Sequence, residues 1–365
     1  MKKKSYLKLL VIIMSVGSLF TACLDEIDLE LQAGLDEGLV IRGELIKGEP
    51  SSLVVRINRI FNFELSSLSP INARSVILID EAGNEMEIKS RADGLHEYTF
   101  DPLVDPIQIE TGGQYKIRVT MFDGRVYESA LEEILPTPEE GQLKTKRSSI
   151  TILNDQNEPE ELPRLQFLID APVNLEGKEQ NARFLWIPER TYELTDSAFI
   201  FDFAPKTCYI TQQLDFNNIH VLDGTQIGGE VATDFTLSSV PINFEFAQGY
   251  YYTVYQRSLT KGAFDHWAQT KQVVERTGNL FEPPAGRIES NLENINDPND
   301  ISVFGYFFAF EQDTIRLYVG PEELDFPQLE CPRVPVEGNP CPVEACCDCL
   351  TATGSQLEKP DFWEK

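Results

Sequence analysis

The chain has 365 residues, with 59 Asp and Glu against 31 Lys and Arg, a formal net charge of −28. That balance excludes a protein that grips nucleic acid by neutralising phosphates. A hydrophobic content of 42% with 10% aromatics excludes a disordered acidic chain, and at roughly 100–200 residues per domain the length suggests two domains.

Met1-Lys2-Lys3-Lys4 and Lys8 form a basic start, followed by an apolar run to Phe20 and then Thr21-Ala22-Cys23. This is a signal peptide, too short and wrongly flanked for a transmembrane helix. Ala22 directly before Cys23 makes residues 1–22 a lipoprotein signal, although Phe20 stands where Leu is usual. The Cys23 thiol is expected to carry the lipid, and several acyl chains on one residue anchor stably. No other apolar run approaches the length of a membrane span. Cleavage removes four lysines and no acid, which moves the net charge from −28 to −32. So acidic a body disfavours unspecific attraction to anionic lipid. Residues 23–37 read as a tether, and its acidic run Leu24-Asp25-Glu26-Ile27-Asp28-Leu29-Glu30 resembles a surface-export signal.

From 38 to 136 the pattern is short strands and tight turns. Leu39-Val40-Ile41, Leu53-Val54-Val55-Arg56-Ile57, Val76-Ile77-Leu78-Ile79 and Tyr98-Thr99-Phe100 are strand-like. Tyr115-Lys116-Ile117-Arg118-Val119 alternates, and Asp123-Gly124 before Val126-Tyr127 is a strong hairpin signal. About seven short strands in ~100 residues predict an immunoglobulin-like β-sandwich.

Pro136-Thr137-Pro138 begins a stiff linker. Residues 142–325 read as a second β-rich domain. Its strands include Leu165-Gln166-Phe167-Leu168-Ile169, Phe184-Leu185-Trp186-Ile187 and the β-prone run Tyr250 to Gln256. Residues 195–245 are poorly periodic and suggest long loops. One helix is expected at 261–276, capped by Thr260 and stopped by Gly278, with Phe264, Trp267, Ala268, Lys271 and Val274 on one stripe. Phe264 and Trp267 read as anchors on the sheet. Val303 to Phe308 and Ile315 to Val319 look like a last pair of buried strands.

Residues 326–365 form a cysteine-rich tail. Besides Cys23 the chain holds Cys208, Cys331, Cys341, Cys346, Cys347 and Cys349. An even count in an exported chain reads as disulfides of open connectivity. Cys346 and Cys349 match a C-x-x-C spacing, but a zinc site wants a second pair or nearby histidines, and a redox site wants a βαβ context. A staple for a tail without a core of its own fits better.

No catalytic motif stands out: there is no G-x-S-x-G, no H-E-x-x-H, no phosphate loop and no dinucleotide fingerprint. The expectation is therefore a protein without catalytic residues, metal or cofactor. His96, His220 and His266 are isolated in sequence, and His266 reads as a helix-surface residue. Glu293, Asn294, Asp297, Asn299 and Asp300 make an oxygen-rich loop that can be weighed as a calcium site or a solvated turn. Tyr250, Tyr251, Tyr252 and Tyr255 can form a binding face or split between core and rim.

Taken together these stretches resemble one family, the domain of unknown function 4249 family, described as outer-membrane lipoproteins of Bacteroidota. The resemblance is carried by Cys23, Leu39 to Leu45, Tyr255-Gln256-Arg257-Ser258-Leu259-Thr260 into Ala263-Phe264-Asp265-His266-Trp267, Phe281-Glu282-Pro283-Pro284, and Asn294-Ile295-Asn296-Asp297-Pro298. The tail residues Cys347-Asp348-Cys349, Gly354 and Lys359-Pro360-Asp361-Phe362-Trp363 add to it. It implies an outer-membrane, lipid-anchored protein facing the cell exterior. It also implies a non-catalytic binding or accessory module of a TonB-dependent outer-membrane barrel. The alternative is a structural or adhesive surface protein without a transporter partner. No ligand residues come with the family.

Overall fold

The computed structural model describes residues 38–60, 69–154, 156–197, 204–214, 218–275, 288–324 and 343–364. The signal peptide 1–22, Cys23 with its tether, Gly278, the Phe281 to Pro284 stretch, Cys331 and Cys341 lie outside the described residues.

Alternating apolar residues make strands from the start. The first are β1 (Leu39–Lys47), β2 (Ser52–Arg59), β3 (Ser75–Asp80), β4 (Glu85–Ile88), β5 (Ser90–Ala92), β6 (Leu95–Thr99), β7 (Gln114–Thr120), β8 (Val126–Ser129) and β9 (Glu132–Glu133). Then come β10 (Gln142–Leu153), β11 (Pro159–Pro172), β12 (Arg183–Thr195), β13 (Thr207–Gln213), β14 (His220–Asp223), β15 (Val231–Pro241) and β16 (Tyr250–Ser258). Helix α1 (Lys261–Val274), β17 (Leu292–Asn294), β18 (Val303–Val319) and β19 (Ser355–Gln356) complete the order. The chain is mainly β with one α-helix among the described residues, as expected.

Three sheets result among the described residues. The largest runs β19-β13-β12-β16-β18-β1-β2-β6-β5, with β14 beside β12. A six-stranded sheet runs β17-β8-β7-β3-β4, with β9 beside β7, and a three-stranded sheet runs β10-β11-β15. The large sheet packs twice. Near β1 and β2, Leu39, Ile41, Leu53, Val55 and Phe307 meet Val76, Leu78, Ile117, Val119 and Tyr127 of the six-stranded sheet. Near β12 and β16, Phe184, Trp186, Tyr250 and Tyr252 meet Leu165, Phe167, Ile169 and Leu237 of the three-stranded sheet. Both are sandwiches, whose inward side chains alternate with outward ones along each strand.

The expected pair of strands at 303–308 and 315–319 is a single strand of 17 residues. The first half of β18 lies parallel to β1, Leu39 opposite Val303, and the second half antiparallel to β16, Tyr250 opposite Val319. The polar run Glu311-Gln312-Asp313-Thr314 looks like a turn in sequence, yet it stays extended where β18 crosses from one core to the other. Gln312, Asp313 and Thr314 are opposite Arg257, Gln256 and Tyr255 there, and Glu311 accepts from Lys47 at 2.6 Å. β18 and β17 thus complete the sandwich of residues 38–136 from far along the chain. The loops expected at 195–245 hold β13, β14 and β15 instead.

Helix α1 lies on the face of the large sheet opposite both cores. Thr260 caps it, its Oγ1 accepting from Ala263 N at 3.2 Å. Ala263, Phe264 and Trp267 pack on Leu185, Tyr306, Phe308 and Phe310. Val274, at the end of the expected stripe, is exposed.

Candidate functional site

Strand alternation decides which side chains reach the helix-covered face. In β1, Leu39, Ile41 and Leu45 enter the core, so Arg42 and Glu44 point the other way; in β2 the same logic turns Arg56 outward between Val55 and Ile57. The β1–β2 register then sets Arg42 directly opposite Arg56. Helix α1 brings Trp267 over this place: its ring stacks on Phe308 at 5.5 Å, and the Arg42 guanidinium carbon sits 5.2 Å from its centre. Between them and β12–β14 lies a cavity of about 330 Å³, lined by Arg42, Arg56 and Trp267 on one side and Ile187, Gln213 and His220 on the other.

The electrostatics are one-sided. Glu44 accepts from Arg42 Nε at 2.8 Å and from Arg257 Nη1 at 3.2 Å. Burial pushes its carboxyl up, but the guanidiniums of Arg257 and Arg42 outweigh this and hold it below the usual range. Arg257 is buried, which lowers its pKa against the pull of Glu44, and it stacks over Phe310 at 4.3 Å. Two guanidiniums therefore share one carboxylate. Among the described residues Arg56 makes no ion pair, and none of the residues lining the cavity is acidic.

Among the described residues two polar nitrogens here have no hydrogen-bond partner, Trp267 Nε1 and His220 Nε2. His220 is 8% exposed, and burial, with the charge of Lys271 added, pushes its pKa down to about 4 despite the opposing pull of Glu275. The ring is neutral at pH 7, so Nε2 is either a donor or an acceptor depending on its tautomer. The cavity thus offers guanidinium donors beside an indole ring and apolar walls.

A family model described as a domain of unknown function, DUF4249, matches residues 25–316. The chain belongs to the DUF4249 family. No curated protein and no solved structure matches it. In this DUF4249 chain the matched span takes in Arg42, Arg56, His220 and Trp267, while the whole of the cysteine tail lies beyond it.

The other candidates turn out to be framework. His266 is not a free surface residue: its ring lies 5.0 Å from that of Tyr306 and 5.5 Å from that of Phe308, and Nδ1 is 2.7 Å from the Glu289 carbonyl. Its neighbour Asp265 pairs with Lys261. In the 293–300 loop, Asp300 accepts from Asn294 Nδ2 at 2.7 Å and from Ser302 N at 2.8 Å, and Asp297 accepts from Asn299 N at 3.1 Å. These carboxylates are spent on their own turn, and no cluster of metal-binding side chains occurs among the described residues. Of the tyrosines, Tyr252 stacks on Phe167 at 3.8 Å and Tyr250 on Phe246 at 4.1 Å inside the core. On the other face, Tyr251 is covered by Trp363 at 4.9 Å and Tyr255 donates to Glu189 at 2.9 Å.

Cys208 bonds Cys349, 141 residues apart. Cys346 and Cys347 are disulfide-bonded too. The tail then adds β19 alongside β13 and buries Trp363, closing one edge of the large sheet.

Sequence reasoning missed the cavity. One signal was present: a turn at Gly48-Glu49-Pro50-Ser51 sets Arg42 opposite Arg56 as soon as β1 and β2 are folded back on each other.

Proposed function

We propose that this protein is an outer-membrane lipoprotein, anchored through lipid on Cys23 and displayed on the cell exterior. It works by binding rather than by chemistry, as an accessory module of a TonB-dependent barrel. The anchoring rests on the Ala22-Cys23 cleavage signal and the acidic tether. The binding role rests on one observation, the donor-lined cavity between α1 and the large sheet. Such concave sites with a few convergent polar groups are the usual form of ligand pockets. The buried titratable groups support it as well, since they join segments: Glu132 holds Tyr306 and Thr260, and Asp196 holds Lys206.

Radiolabelled palmitate should enter the wild-type chain and not Cys23→Ser. Mild detergent extraction after crosslinking should recover a barrel protein with it. Recovery only as a lone monomer would sink the accessory role, and unlabelled wild-type protein would sink the anchor.

The second reading, an adhesive or structural surface protein, is favoured by the β10–β11 ribbon. β15 pairs with β11 only from Arg164 onward, so the ribbon beyond it has two strands, with Ile150, Ile152 and Leu153 exposed. A deletion strain with normal uptake and altered attachment would select it.

A further inference from the structure

We infer that the cavity beneath Trp267 takes a small anionic ligand, a carboxylate or phosphate carried on a flat or apolar body, with Arg56 as its main ion-pairing group. The inference rests on the cavity being a binding site and names the class of molecule it binds.

Four observations carry it. The first is composition: in a chain with 59 acidic residues, a cavity lined by two arginines and, among the described residues, no carboxylate is a local reversal of charge. The second is register. Arg42 and Arg56 stand directly opposite each other on antiparallel strands, an arrangement that disfavours folding unless something negative relieves it. Glu44 relieves Arg42 and Arg257, but nothing among the described residues pairs with Arg56. Among the described residues Glu97 on the neighbouring β6 pairs only with Arg91, at 2.8 Å.

The third is Trp267 Nε1, a buried donor on a ring that lines the cavity, with no acceptor among the described residues. His220 Nε2, more than nine-tenths buried, can add a second donor in one of its tautomers. The fourth is shape. At about 330 Å³ the cavity stands at the small end of ligand sites, and Ile187, Pro188 and Ile219 give it an apolar wall beside the indole. A planar guanidinium presents a fork that matches two oxygens of a carboxylate or phosphate. The ligand's oxyanion would sit between the arginines and its body against the apolar wall.

The test is calorimetric titration of the mature chain in detergent with benzoate, phenyl phosphate, inorganic phosphate and neutral benzamide. Wild type should bind benzoate or phenyl phosphate at least about tenfold more tightly than benzamide, and Arg56→Gln should lose at least about tenfold of that affinity. The stronger of the two anions identifies the oxyanion. The melting temperature of Arg56→Gln should not fall, and Arg56→Lys should bind with intermediate affinity because the charge remains and the fork is lost. Benzamide binding as tightly as the anions would overturn the anionic class and leave a binding site. Inorganic phosphate binding as tightly as phenyl phosphate would overturn the apolar body. Unchanged affinity in both Arg56 variants would overturn the role of Arg56. Failure of all four probes to bind would overturn the site itself.

Discussion

Glu132 ties the helix that roofs the cavity to the first sandwich, and removing it should loosen both. Its side chain, 6% exposed at the end of β9, accepts from Tyr306 Oη at 2.5 Å, from Thr260 Oγ1 at 2.6 Å and from Asn291 Nδ2 at 3.2 Å. Thr260 caps α1 and Tyr306 lies in β18, so one carboxylate links three segments. In Glu132→Ala, Asn291 keeps its bond to the Phe307 carbonyl, but the hydroxyls of Tyr306 and Thr260 lose their acceptor. Two buried donors orphaned at ~1–3 kcal/mol each, less the relief of no longer burying a carboxylate, give a net loss of about 2–5 kcal/mol. Glu132→Gln keeps an acceptor oxygen and drops the charge, so it should lie within ~1 kcal/mol of wild type at neutral pH. The comparison also has a pH sign. Burial raises the Glu132 carboxyl above its ordinary value of 4.5, against the hydrogen bonds from Thr260, Tyr306 and Asn291. A folded value above the unfolded one gives a contribution that is complete below the unfolded pKa and is lost as pH rises through the folded one. Wild type should therefore lose stability relative to Glu132→Gln between acid and neutral pH. Urea unfolding followed by tryptophan fluorescence measures all three variants. An alanine variant within ~0.5 kcal/mol of wild type, or a glutamine variant as damaged as alanine, would refute the account.

Three further outcomes are expected. Cys208→Ser opens a loop of 141 residues, worth up to ~5 kcal/mol in the chain-entropy model; oxidised wild type and variant unfolding at the same urea concentration would contradict it. His220 is held neutral by burial, with a folded pKa pushed down to about 4 from an ordinary 6.5, so its contribution is complete above the unfolded value and falls by roughly 3 kcal/mol as pH drops through that window. His220→Gln should flatten that slope, and equal slopes in the two proteins would count against it. Gly305 has φ +97°, and a Cβ there would stand 2.1 Å from the Ile41 carbonyl oxygen on β1, so Gly305→Ala should cost more than ~3 kcal/mol; a variant melting within a few degrees of wild type would refute this.

Much of the fold is legible because one face of each strand is buried. Tyr115 to Val119 alternates in sequence and in burial, and Gly124 at φ +92° makes the Asp123-Gly124 turn that the sequence announces. Thr260 and the apolar residues after it announce α1. β10 is illegible for the opposite reason: in the ribbon it is exposed on both faces, so no alternation was selected. β18 is misread because its polar middle lies between two cores and finds partners across the strands. The cavity leaves no local motif at all. Arg42 and Arg56 come from one hairpin, Ile187 and His220 from another part of the large sheet, and Trp267 from the helix, so only the sheet order assembles them.

The Arg42–Arg56 pair separates a functional residue from a framework one. Were position 56 merely structural, an acid would suit it better: a glutamate there would face Arg42 across the strands and relieve a like-charge opposition worth ~0.2–1 kcal/mol. The chain is rich in acids and places one at Glu44 on the same face, yet it keeps arginine at 56. Arg56→Glu should accordingly raise the melting temperature, or leave it unchanged, while abolishing anion binding. The side chain lies on an exposed strand face and makes no ion pair among the described residues, so the substitution removes little packing. A fall in melting temperature would show that Arg56 supports the fold through contacts of its own. A rise with anion binding intact would move the ligand's charge onto Arg42 alone. Only stabilisation coupled to loss of binding fits a residue held against the local electrostatics for the sake of its ligand.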